Sequence, residues 1–64
     1  MSDSTFEIAC YIKHETDNAL LIVDPVSAEE IWLPLSQIEE IHRDKDSYGT
    51  VVMSRWIAQK KGLL

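Results

Sequence analysis

The chain is poor in the residues from which catalytic and ligand-binding motifs are built. It has one cysteine, Cys10, so no internal disulfide and no C-x₂-C metal pair can form. Its two glycines, Gly49 and Gly62, make no phosphate-cradling loop. Its two histidines, His14 and His42, lack the spacing of a zinc site. No apolar run exceeds five residues, against the roughly 20 a membrane helix needs. Met1 is followed by Ser2-Asp3-Ser4-Thr5, which predicts no secretory leader. A reducing, cytoplasmic setting in a bacterial host is expected, with no membrane association.

The acids that are present do not assemble into catalytic pairs. Glu29-Glu30 and Glu39-Glu40 are adjacent, and adjacent strand residues point to opposite faces. Ser36, His42 and Asp44 can be drawn as a triad, but a serine in a polar corner is better read as capping its own backbone. Cys10 alternates with core positions and reads as an inert buried thiol. No enzyme, cofactor or metal is expected.

What the chain has in excess is negative charge, unevenly placed. Residues 1–40 hold nine acids and one base, Lys13, for a balance of -8. Residues 41–64 hold two acids and five bases, for +3, and the whole carries -5. An acidic surface repels DNA phosphates but steers association with a basic protein surface. The plainer reading is that the acids keep a small protein soluble.

Sixty-four residues make one domain, 1–64, with a thin core. Residues 6–15 alternate, with Phe6, Ile8, Cys10 and Ile12 on one face and Glu7, Tyr11, Lys13 and Glu15 on the other; this predicts a half-buried strand. A polar turn, 15–18, leads to the apolar run 19–23, read as a central strand covered on both sides. Asp24-Pro25 ends it and 30–33 returns, completing an antiparallel meander. Pro34 stops pairing, and 35–37 predicts a single 3₁₀ turn.

Ile38 and Ile41 lie three apart, which suits a helical turn, but a short strand at 40–43 is favoured. Residues 44–49 read as a loop punctuated by Gly49, and 50–53 as a strand. Ser54 is placed to cap a helix over 55–61, with Gly62 at its C-terminal end. Two turns of helix must dock to persist, through Trp56 and Ile57, with Leu63 and Leu64 over the barrel mouth. The expected fold is mainly β (α+β): a small SH3-like or partly open antiparallel barrel with a short C-terminal helix. A three-stranded sheet with a helix on one face is the alternative.

Trp32 alternates against Ile31 and Leu33, so it either packs in the core against Trp56 or stands exposed as a binding hot spot. The partner-binding candidates are Glu7, Glu15, Asp17, Asp24, Glu29, Glu30, Trp32, Glu39 and Glu40. Arg43, Arg55, Lys60 and Lys61, with Lys45, make a weaker basic patch for nucleic acid. The molecule is expected to be a monomer or homodimer.

At Ala19-Leu20-Leu21-Ile22-Val23, Glu30-Ile31-Trp32-Leu33-Pro34-Leu35-Ser36-Gln37-Ile38 and Trp56-Ile57-Ala58-Gln59-Lys60-Lys61-Gly62-Leu63, the chain resembles a group of tiny proteins from phages and prophages. Its size, acidity and want of catalytic residues also resemble the anti-CRISPR proteins, particularly those acting on type I systems. That resemblance implies inhibition by occlusion, with an acidic, DNA-mimicking surface filling the basic DNA-binding groove of the Cascade effector. It carries over no contact residue by position. The basic C-terminal third departs from a uniformly acidic mimic and would face away from such a groove. A small nucleic-acid-binding accessory protein of phage replication or recombination, using the basic helix, is the alternative.

Overall fold

The computed structural model describes residues 4–64. Five strands form one antiparallel sheet: β1 (Thr5–Glu15), β2 (Ala19–Val23), β3 (Glu30–Pro34), β4 (Ile38–Arg43) and β5 (Tyr48–Ser54). A 3₁₀ turn, Leu35–Gln37, joins β3 to β4, and helix α1 (Arg55–Lys60) closes the chain. The spatial order is β3-β2-β1-β5-β4. The expected β-rich domain with five strands and a terminal helix is what forms.

The sheet curls without closing. β3 and β4 are its two edges, and the 3₁₀ turn carries the chain from one to the other without pairing them. Cys10, Ile12, Leu20, Ile22, Ile31, Leu33, Val51 and Met53 line its inner face and are buried. Phe6, Ile8, Leu35, Ile38, Ile41 and Leu63 pack around them. Burying these aliphatic groups supplies the main stabilisation, at roughly 25 cal/mol per Å² of apolar surface.

Two bulges explain where simple alternation fails. In β1, Ile12 faces Ile22 but His14 faces Leu21, so Lys13 is an extra residue. Strict alternation puts His14 inward and Glu15 outward. The bulge reverses both: His14 shares the outer face with Leu21, and Glu15 sits opposite buried Leu20 at the inner rim. In β4, Ile38 faces Met53 while Glu40 faces Val52 and Ile41 faces Val51. The i,i+3 spacing of the two isoleucines is therefore a bulged strand and not a helical turn. It begins at Ile38, two residues before the expected start.

Gly49 is not loop punctuation. It lies within β5, opposite Cys10 on one side and Arg43 on the other. An added Cβ there would overlap the His42 carbonyl oxygen, so β4 can approach only because the position is glycine. The intervening loop is 44–47, with Asp46 at φ 58°.

The β1–β2 turn is held by Thr16, whose Oγ1 accepts from Ala19 N–H at 3.1 Å. The β2–β3 loop opens on an Asx turn, with Asp24 Oδ1 accepting from Val26 N–H at 2.8 Å. Ala28 in that loop sits at φ 62°, a left-handed conformation that costs a non-glycine residue about 1 kcal/mol.

Ser54 caps α1 as its sequence position predicts. Its Oγ accepts from Ile57 N–H at 3.2 Å and donates to Gln37 Oε1 at 2.7 Å, tying the helix to the 3₁₀ turn. At the other end Leu63 N–H donates to the Ala58 carbonyl at 2.8 Å, and Gly62 N–H to that of Gln59 at 3.1 Å. With Gly62 at φ 78°, this is a Schellman stop. The helix docks through Ile57 and Ala58, both buried. Trp56 is not the anchor: it is 59% exposed, and Leu64 is exposed as well, leaving Leu63 alone of the two leucines against the core.

Candidate protein-binding surface

Because side chains of opposed residues share a face, strand register fixes what the outer face presents. One row runs Trp32, Leu21, His14 across β3, β2 and β1. The next runs Glu30, Val23, Tyr11, Tyr48. Then come Ala9, Thr50, His42, and finally Glu7, Val52, Glu40. No described element lies over these rows, since α1 packs on the opposite side among the core residues.

The first two rows are aromatic. Tyr11 and Tyr48 meet edge-on, centroids 4.9 Å apart, and His14 meets Trp32 edge-on at 6.3 Å. Trp32 remains 45% exposed and Tyr11 48%. Beneath them Leu21 is covered, which accounts for an apolar run in β2 that faces both ways. Trp32 therefore does not pack in the core against Trp56. The two tryptophans lie in different settings, Trp32 on the outer sheet face and Trp56 on the helix with the Lys60 ammonium 5.3 Å from its ring centre.

The acids do not form one stripe. Glu7, Glu30 and Glu40 lie on the outer face. Asp17 is in the turn at one end of β2, while Asp24 and Glu29 are in the loop at its other end. Glu39 is the bulge residue of β4. Three of the described acids meet basic side chains within the molecule. Glu30 pairs with Lys13, which reaches across β2 to do so. Glu40 meets His42 Nε2 at 2.7 Å, and Glu15 meets Arg43 at 2.5 Å. Each pair is exposed and contributes at most about 1 kcal/mol.

The Glu15–Arg43 bridge divides the expected basic patch. It holds Arg43 beside β1, whereas Arg55 and Lys60 ride on α1 and Lys61 is its C-cap. A cavity of about 230 Å³ opens next to Arg43, lined by His42, Asp44, Tyr48, Gly49 and Thr50. Among the described residues no group of three or more His, Cys, Asp or Glu is placed to hold a metal ion, and no helix is long and apolar enough to cross a membrane. Ser36 is exposed on the 3₁₀ turn and makes no cap. Cys10 is buried, as expected; burial, with the Asp24 carboxylate adding to it, pushes its thiol up to about 11, far from nucleophilic use.

Alternation in β1 puts Tyr11 on the outer face, whereas Tyr48 lies in the stretch 44–49 that reads as a loop and yet opens β5. The available signal was the alternation of Tyr48, Thr50, Val52 and Ser54 against Gly49, Val51 and Met53, which extends the strand through the glycine. No protein-family model, curated protein or solved structure matches the chain.

Proposed function

We propose that this protein is a non-enzymatic binding module that occupies a basic site on a nucleic-acid-handling protein. In its most specific form it is an inhibitor of the anti-CRISPR kind, blocking the DNA-binding groove of a type I Cascade effector. The observation that carries the reading is the outer sheet face, which pairs exposed aromatic rings with carboxylates on a chain of net charge -5. Aromatic groups anchor an interface, and the surrounding charge speeds encounter with a basic partner. Glu7 and Glu40, two strand spacings apart on either side of Val52, would lie about 10 Å from each other. Glu7 would meet one cation of the partner, and Glu40 a second in exchange for His42.

The test is capture of type I effector subunits by the purified protein, scored for loss of target DNA binding. The expected result is inhibition that weakens as salt rises and is lost on joint Glu7→Lys and Glu40→Lys replacement. Inhibition that survives this charge reversal would sink the electrostatic mechanism.

A second reading rests on α1, where Arg55, Lys60 and Lys61 accompany exposed Trp56. Such a patch can stack and neutralise single-stranded nucleic acid. Only these three cations remain there, since Arg43 is bridged to Glu15 and Lys45 lies in the 44–47 loop, and Lys60 already lies over the Trp56 ring. A labelled oligonucleotide that shifts at low salt and is released by Trp56→Ala would favour this reading over the first.

A further inference from the structure

We infer that the outer sheet face between Tyr11 and Trp32 is an arginine-binding surface, and that Lys13 holds its place in the free protein. The inference rests on the reading of the protein as a module for basic partners, and names the side chain it recognises.

The molecule itself displays the chemistry. Lys13, the bulge residue of β1, runs across β2 to pair with Glu30 on the outer face. Glu30 shares its register row with Tyr11 and Tyr48, and Trp32 follows two residues along the same face of β3. A long cationic side chain thus crosses a surface that has aromatic rings on both sides and a carboxylate at its end. A guanidinium suits that arrangement better than an ammonium does. It stacks on ring faces, binds a carboxylate through two N–H groups, and loses less hydration on burial.

The two tryptophans sharpen the point. Trp56 already has an intramolecular cation, Lys60, over its ring. Trp32 meets His14 in a T-shaped contact, has no cation over its ring among the described residues, and stays nearly half exposed. An aromatic platform on a sheet also suits single-stranded nucleic acid. Here the charges have the wrong sign for that. The outer rows carry Glu7, Glu30 and Glu40 against one lysine, and that lysine is already paired. The occupant that complements both rings and carboxylates is an arginine-bearing protein segment. When it docks, its guanidinium takes Glu30 and Lys13 swings into solvent.

Titration of the isotopically labelled full chain followed by NMR tests this, with three probes: a short arginine peptide, its lysine counterpart and an oligothymidylate. The arginine peptide is expected to shift Tyr11, Glu30, Trp32 and Tyr48 selectively, and to bind more tightly than the lysine peptide. Trp32→Ala should weaken it about tenfold. Lys13→Gln should tighten it about threefold, because the internal competitor is gone. Glu30→Gln should weaken it by a similar factor, and both of these sites are exposed, so the fold is not at risk.

Equal binding of the two peptides, spread over all the acids and indifferent to Trp32 and Lys13, would overturn the inference while leaving a generally acidic docking module standing. Absence of binding by either basic peptide at low salt would overturn both. Oligothymidylate binding on the same face would overturn both in favour of a nucleic-acid platform.

Discussion

Leu33 and Trp32 are neighbours on β3 and differ in almost everything else. Leu33 is fully buried opposite Leu20, within an apolar face that is aliphatic apart from Phe6, Met53 and the Cys10 thiol. Trp32 is half exposed on a face of rings, carboxylates and one lysine. The contrast holds along β3, along β5 and along β1 up to its bulge, because side chains alternate with period two, while β2 is apolar on both faces. A core this thin has no inward position to spare, so the outer face is the one left free for the proposed partner.

The sharpest way to break this comparison is to truncate both neighbours. Leu33→Ala should cost about 3 kcal/mol, from lost transfer energy and the cavity left behind. That would be a large share of the stability of so small a domain. Trp32→Ala should cost less than about 1 kcal/mol, because little more than Leu21 is uncovered. Urea unfolding of the two variants measures both. Equal costs would mean that Trp32 is structural and that the outer face is not free for a partner.

The second prediction concerns the one place where the inner face has no side chain. Gly49→Ala places a methyl against the His42 backbone, which cannot move without parting β4 from β5. A loss of about 2 kcal/mol is expected, read as a lower midpoint in thermal unfolding. Thr50→Ala, next in sequence on the outer face, should change stability by less than about 0.5 kcal/mol. If Gly49→Ala is as mild as Thr50→Ala, the close approach of β4 is not needed by the fold.

Cys10 lies opposite Gly49 and gives the inner face a pH signature. Its thiol is raised from 9.0 to about 11, chiefly by burial and then by Asp24. The folded chain therefore holds the proton more tightly than the unfolded chain. The thiol's contribution is fully present below pH 9.0 and is lost as pH rises toward about 11. Below pH 9.0 no effect is expected. Above it, the wild-type chain should lose stability faster than Cys10→Ala, since only the wild type can ionise on unfolding. Parallel curves for the two chains would mean that the thiol is not buried as described.

The two faces were not equally legible in the sequence. The inner face was readable wherever alternation held, as in Phe6, Ile8, Cys10 and Ile12, and in Ile31 and Leu33. Local chemistry also carried the 3₁₀ turn after Pro34, the Ser54 cap and the Gly62 stop, because each depends on near neighbours alone. The bulges at Lys13 and Glu39 were not legible, since an extra residue is selected by the partner strand and leaves no mark in its own. Those two residues govern which side His14, Glu15, Ile38 and Ile41 face. The outer face was only half readable for the same reason. Its acids could be counted, but the pairing of Lys13 with Glu30 and of Arg43 with Glu15 depends on how β1, β3 and β4 come together in space. Trp56 was misplaced because two turns of helix offer three apolar residues for docking. Ile57 and Ala58 fit against β1 and β5 where an indole would not.

The smallest effect lies wholly on the outer face and concerns Tyr11 and Tyr48. Their edge-on contact joins β1 to β5 at the point where β5 begins. Single alanine replacements remove surface contacts, and each should cost well under the price of an inner truncation. A double-mutant cycle isolates the ring–ring interaction, and a coupling of about 0.5–1 kcal/mol is expected. A coupling in that range, with Trp32→Ala additive to both, would mean that the tyrosines form a rigid unit independent of Trp32. The face would then present two separate aromatic anchors with the Lys13–Glu30 pair between them. Zero coupling between the tyrosines would instead mean that the rings move independently. The outer face would then be no preformed platform, and any partner would have to order it on arrival.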